Sequence, residues 1–83
     1  MDKLLIAIEV PSVDQMFDIT VPWDLSVELL VSLLYQLMQE LGSGLYVPSY
    51  NEVLCRREDG RLLDPDQSMR ENGIKMGDHL ILF

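Results

Sequence analysis

Leu62-Leu63-Asp64-Pro65-Asp66-Gln67-Ser68-Met69-Arg70-Glu71-Asn72-Gly73-Ile74-Lys75-Met76-Gly77-Asp78-His79-Leu80-Ile81-Leu82 is the stretch from which the fold is read. Asp64-Pro65-Asp66 is turn chemistry that ends a short apolar pair. Ser68 to Asn72 spans one helical turn, capped by Gly73, and Ile74 to Asp78 reads as a second tight turn. His79 to Phe83 closes the chain as a strand. At period two, Leu80 and Leu82 point inward while His79, Ile81 and Phe83 point outward.

Upstream, Val53-Leu54-Cys55-Arg56-Arg57 reads as a third strand. It joins a stub of a fourth, Leu62-Leu63, through the turn Glu58-Asp59-Gly60-Arg61, with Gly60 at a position of positive φ. Gly42 to Glu52 is a loop carrying Leu45, Tyr46, Val47 and Tyr50, a composition that predicts a segment laid over the body. Before it, a helix runs from an N-cap at Ser26 to a stop at Gly42, with Leu25 and Leu30 placed as a hydrophobic staple. Val27, Leu30, Val31, Leu34, Met38 and Leu41 form its core stripe. The chain opens on two alternating runs. Leu4, Ile6, Ile8 and Val10 share one face, and Phe17, Ile19 and Val21 share another across the turn Pro11 to Asp14, giving a β-hairpin that ends at Pro22. No repeat or internal boundary interrupts the pattern, so residues 1–83 are expected to form one domain. The element order predicts an α+β architecture. A mixed sheet of four to five strands has its last strand parallel to the first at the centre, with one helix across one face.

That order is the β-grasp, and the stretch from Leu62 to Leu82 resembles the second half of ubiquitin. The leucine, acidic turn, helical turn, Gly-Ile, turn and final strand follow one another at near-identical spacing. Gly77 stands where ubiquitin-like folds require a left-handed residue. Gly73-Ile74-Lys75-Met76-Gly77-Asp78-His79-Leu80 is most similar to the YukD/EsaB family of small ubiquitin-like proteins associated with bacterial type VII (WXG) secretion. The resemblance implies a non-catalytic adaptor in such an apparatus, docking on a membrane component or the secretion ATPase. Ubiquitin and the sulfur carriers of this fold end in an extended Gly-Gly tail, whereas this sequence stops at Phe83. The departure disfavours a conjugated modifier or sulfur carrier. A modifier trimmed of its tail stays open as an alternative, as does the ubiquitin-like domain of a larger secretion membrane protein.

Composition narrows the class independently. Of 83 residues, 14 are acidic and 6 basic, a net charge of −8. That lacks the basic footprint of a nucleic-acid binder or of a protein held on anionic lipid. Residues 1–52 carry a net −7 and residues 53–83 a net −1; a solvated acidic face is the favoured reading of the first half, and a partner that met it would be basic. One cysteine leaves no disulfide framework and no thiolate cluster for a metal. Neither a signal peptide nor a membrane-spanning run is read, so a cytoplasmic setting is expected.

The chemistry of the remaining residues points away from catalysis. Cys55 and His79 lie on neighbouring strands of a β-grasp, yet a nucleophile pair needs a third orienting group. Ordinary sheet residues are the favoured reading of both. Asp64-Pro65-Asp66 starts like a calcium loop but lacks its later glycine and closing glutamate. Gly42-Ser43-Gly44 ends a helix rather than opening one, so it makes no phosphate cradle. The expectation is a non-enzyme without cofactor or metal, acting on a protein partner.

Two surfaces exceed what a core requires. On the outer sheet face, Cys55, Ile81 and Phe83 resemble in position the partner-binding apolar patch of ubiquitin, with Arg56 and Arg57 as a basic rim. On the helix, Leu29 and Leu33 widen the apolar arc beyond a one-sided stripe, beside Leu37, which is expected to reach the core. Cover by the 42–52 loop and contact with another protein explain Leu29 and Leu33 equally well. A homodimer through this row would be isologous.

Overall fold

Alternation of side chains sets the first hairpin. The computed structural model describes residues 3–41 and 52–83, Leu41 by its backbone alone. β1 (Lys3–Val10) buries Leu4, Ile6, Ile8 and Val10 and turns Lys3 and Leu5 to the surface. A 3-10 turn over Pro11–Val13 ends at Asp14, whose φ of 53° is a left-handed conformation that Asp tolerates. β2 (Gln15–Pro22) returns antiparallel, in register from Val10 against Gln15 to Lys3 against Pro22.

α1 (Val27–Leu41) begins where the sequence predicts, and the amides of its first three residues, which lack intrahelical partners, all find acceptors. Val27 N donates to Gln67 O at 2.9 Å and Glu28 N to Pro65 O at 3.1 Å, while Leu30 N to Ser26 O at 3.0 Å is the first bond of the helix itself. Leu29 N donates to the Ser26 hydroxyl at 3.2 Å, the N-cap bond. The loop from Pro65 to Gln67 is thereby tied to the start of the helix.

β3 (Leu54–Arg56) and β4 (His79–Leu82) complete a four-stranded sheet in the order β2-β1-β4-β3. β4 runs parallel to β1 and antiparallel to β3, so the two ends of the sequence form the sheet centre as expected. Helix and sheet enclose one core of Leu4, Ile6, Ile8, Leu30, Leu34 and Leu80, with Met69 and Ile74 from the final loops.

Three details differ from the sequence reading. Leu62-Leu63 is no fourth strand but a single bridge between Leu62 and Cys55, because the turn at Asp64 follows at once. Ser68 to Asn72 is a hydrogen-bonded turn, closed by Asn72 N to Ser68 O at 3.0 Å, and not a helix. β3 is shorter than Val53–Arg57, although Val53 and Phe83 still exchange both backbone bonds at 3.0 Å. The expectations placed on Gly42 and on the 42–51 loop lie outside the described residues, as does the Leu41 side chain. Among the described residues no helix is long and apolar enough to cross a membrane.

The last third is held by Asn72, a buried polar residue. Its amide nitrogen donates to Asp64 O at 3.1 Å and Ser68 O at 2.9 Å, while its carbonyl accepts from Asp64 N at 2.8 Å. Both donors and the carbonyl of its side chain are bonded within one loop, which offsets the cost of burying an amide.

Candidate protein-binding surface

Residues directly opposite in neighbouring strands point to the same face of a sheet, so register alone assembles the outer surface. Met16 opposes Glu9, Glu9 opposes Ile81, Ile81 opposes Cys55 and Cys55 opposes Leu62. That row crosses the whole sheet. Beyond it towards the end of β4 stand Phe83 and Val53, paired by backbone. On the other side lie Asp18, Ala7, His79 and Arg57. Phe83 is 62% exposed and Leu62 is 64% exposed, with Met16 and Val53 also exposed and Ile81 half-buried. Glu9 interrupts the row after Met16, and from Ile81 to Leu62, with Phe83 and Val53 beside them, the apolar side chains form a contiguous cluster that a solitary core does not need.

The sequence candidates separate on this surface. Ile81 and Phe83 lie on the outer face as expected. Cys55 faces the same way but is only 7% exposed, so it is the floor of the patch and not a contact. It sits between Ile81 and Leu62 in the row, and its thiol turns to Arg56 O at 3.7 Å. Arg57 is exposed beside the row, with Nη1 3.4 Å from His79 Nδ1 and 3.9 Å from Glu9 Oε1.

Arg56 must be removed from the rim. It opposes Leu80, an inward residue, and therefore lies on the other face from Arg57. Its guanidinium bonds Asp59 through Nε at 3.2 Å and Nη2 at 2.9 Å, and Gly73 O through Nη1 at 3.1 Å. The hydrogen bond to Asp59 raises the Arg56 pKa, while the same bond, helped by the Arg61 amide, holds the Asp59 carboxyl down to about 2. Arg56 is a clamp on the 56–61 turn. On the helix, Leu29 and Leu33 are 51% and 44% exposed, and Leu37 packs against the core as expected.

Cys55 and His79 share the outer face, but the structure does not join them. His79 Nε2 lies 3.2 Å from Glu9 Oε1 and Nδ1 faces Arg57, while the thiol is engaged with backbone. Leu62, Val53 and Met16 were not singled out from the sequence. For Leu62 the signal was present, since Leu63 inward at period two forces Leu62 outward.

The profile of the WXG100 protein secretion system (Wss) family, protein YukD, matches residues 5–82. No curated protein matches the chain. Among solved structures, the ubiquitin of Caldiarchaeum subterraneum is similar with a TM-score of 0.76 at 16% identity, covering 98% of this chain and 91% of that one. The ubiquitin-like domain of EccD5 from Mycobacterium xenopi gives 0.73 at 21% identity, covering 100% and 94%. The ubiquitin-like domain of the type VII secretion protein EccD1 from Mycobacterium tuberculosis gives 0.64 at 19%, covering 99% and 98%. These likenesses show the ubiquitin-like β-grasp fold.

Proposed function

The chain belongs to the YukD family of the WXG100 (type VII) secretion system, and from that premise we propose that it is a non-catalytic adaptor acting by noncovalent protein binding. It works in the cytoplasm and its partner is a component of the secretion machinery. The contact surface is the outer sheet face at β4 and β3, with Ile81, Phe83, Val53 and Leu62 as apolar centre and Arg57 at the edge. The carrying observation is the apolar cluster itself, which runs from Ile81 on β4 across Cys55 to Leu62 with Phe83 and Val53 beside it, and is open among the described residues. An apolar centre beside charged side chains is the usual anatomy of a protein interface.

Site-specific photo-crosslinking in cells tests the assignment. A crosslinker at Phe83 or Leu62 should capture a secretion component, whereas one at Gln39 on the exposed side of the helix should not. Equal capture from both faces, or capture only from the helix, would remove the outer face as the site.

A further inference from the structure

The sheet has a second feature that the apolar row does not use, the free edge of β2. Ala7 N donates to Asp78 O at 3.0 Å and Leu5 O accepts from Gly77 N at 2.7 Å, so these β1 residues aim their backbone groups at β4. In a strand successive residues aim them to opposite sides, so Leu4, Ile6, Ile8 and Val10 face β2. Their partners Val21, Ile19, Phe17 and Gln15 face back. Met16, Asp18 and Thr20 therefore direct their N–H and C=O groups away from the sheet. Among the described residues nothing pairs with these groups. The next residue in that series, Pro22, has no N–H, and its carbonyl already accepts from Leu25 N at 3.2 Å.

The helix presents an apolar flank on the same side. Glu28 and Tyr35 mark its other flank, tied to Pro65 and to Glu52, which leads into β3. At about 100° per residue, Leu29, Leu33 and Leu37 lie on the opposite flank from these two, and in the order β2-β1-β4-β3 that is the β2 side. Phe17 and Ile19 on the inner face of β2 and Leu37 on the helix are partly buried against the core, while Leu29 and Leu33 stay open.

Charge chooses the occupant. From Gln15 to Leu41 there are four acids (Asp18, Asp24, Glu28 and Glu40) and no Lys, Arg or His. Asp18 stands in the middle of the free edge, so full antiparallel pairing of two copies would set Asp18 against Asp18, a destabilising like-charge pair. A basic strand meets no such penalty.

We propose that the free edge of β2 is a strand-addition site for an extended basic segment of a partner protein, alternating apolar residues over the Leu33 flank with Lys or Arg opposite Asp18. Backbone bonds to Met16, Asp18 and Thr20 supply affinity and the alternate side chains supply selection. This site is separate from the outer-face patch and does not depend on it.

The test is amide hydrogen exchange on the full chain with a capped octapeptide alternating valine and lysine, against one alternating valine and glutamate. The lysine peptide should slow exchange at Met16, Asp18 and Thr20 by about tenfold or more and leave Phe17 and Ile19 unchanged, because only the outward amides gain a bond. Thr20→Pro should abolish the protection, since the lost N–H belongs to no existing ladder bond. If that variant does not fold, Asp18→Lys decides, and it should transfer the preference to the glutamate peptide. Ile81→Ser should leave the protection intact. Unchanged exchange at the three amides would overturn the proposal, as would equal protection by the acidic peptide. So would protection that appears with rising protein concentration alone, which would mean pairing between copies.

Discussion

Replacing Leu80 with alanine should cost about 3–4 kcal/mol, while Ile81→Ser, one residue along, should cost only about 1 kcal/mol. Leu80 is fully buried on the central strand β4, between Ile8 of β1 and Arg56 of β3. Truncation removes three buried carbons, worth roughly 2.4 kcal/mol at about 0.8 per methylene. A residual cavity of about 50 Å³ at ~24 cal/mol per Å³ adds roughly 1 kcal/mol. Ile81 is half-buried on the opposite face, so serine there loses part of a side chain's burial and opens no cavity. A chain of this size has about 4–12 kcal/mol of stability in all, so Leu80→Ala removes a large share of it. Urea unfolding followed by the single tryptophan, Trp23, reads the difference. With a slope near 1 kcal/mol/M, the Leu80→Ala midpoint should fall by about 3 M and that of Ile81→Ser by about 1 M. If Ile81→Ser is the more damaging change, the register of β4 is wrong by one residue and the outer surface is misassigned.

The Asp59 carboxyl should titrate near 2 by carbon NMR and return towards 3.8 in Arg56→Ala. Because its folded pKa is depressed, the stability it contributes is present above about 3.8 and lost as pH falls through about 2; Asp59→Asn should flatten that acid dependence. Asn72→Ala should cost about 2–3 kcal/mol in the same urea assay, since it leaves the Asp64 amide and carbonyl without their side-chain partner and removes one of the two bonds to Ser68 O. Cys55 should resist a thiol reagent in the native state and react at the free-thiol rate in denaturant, because burial and not activation governs its access.

The core and topology were legible because burial follows period two and period 3.6 closely here. Leu4 to Val10, the Ser26 cap and Leu80 with Leu82 needed nothing beyond their own segments. The surface was less legible, because it depends on what lies across the strand. Cys55 points outward as read, yet Leu62 and Ile81 on either side bury it. Arg56 and Arg57 are adjacent in sequence, and grouping them as one rim ignored the alternation that sends them to opposite faces. Leu62-Leu63 looked like a strand from its composition, but the Asp64 turn leaves room for only one bridge. The free edge of β2 was hidden for a different reason. Backbone direction is set by which neighbour a strand acquires, and no local pattern in Gln15 to Pro22 records that.

The adaptor role is tested most directly by affinity capture of the native gene product from its own cells, beside Ile81→Ser and Phe83→Ala, with a denaturing wash before mass spectrometry. The wild-type chain should retain a secretion-machinery component, the wash should release it, and both variants should lose it while remaining folded. An adduct that survives the denaturant, or equal capture by the two variants, would contradict noncovalent binding through the outer sheet face.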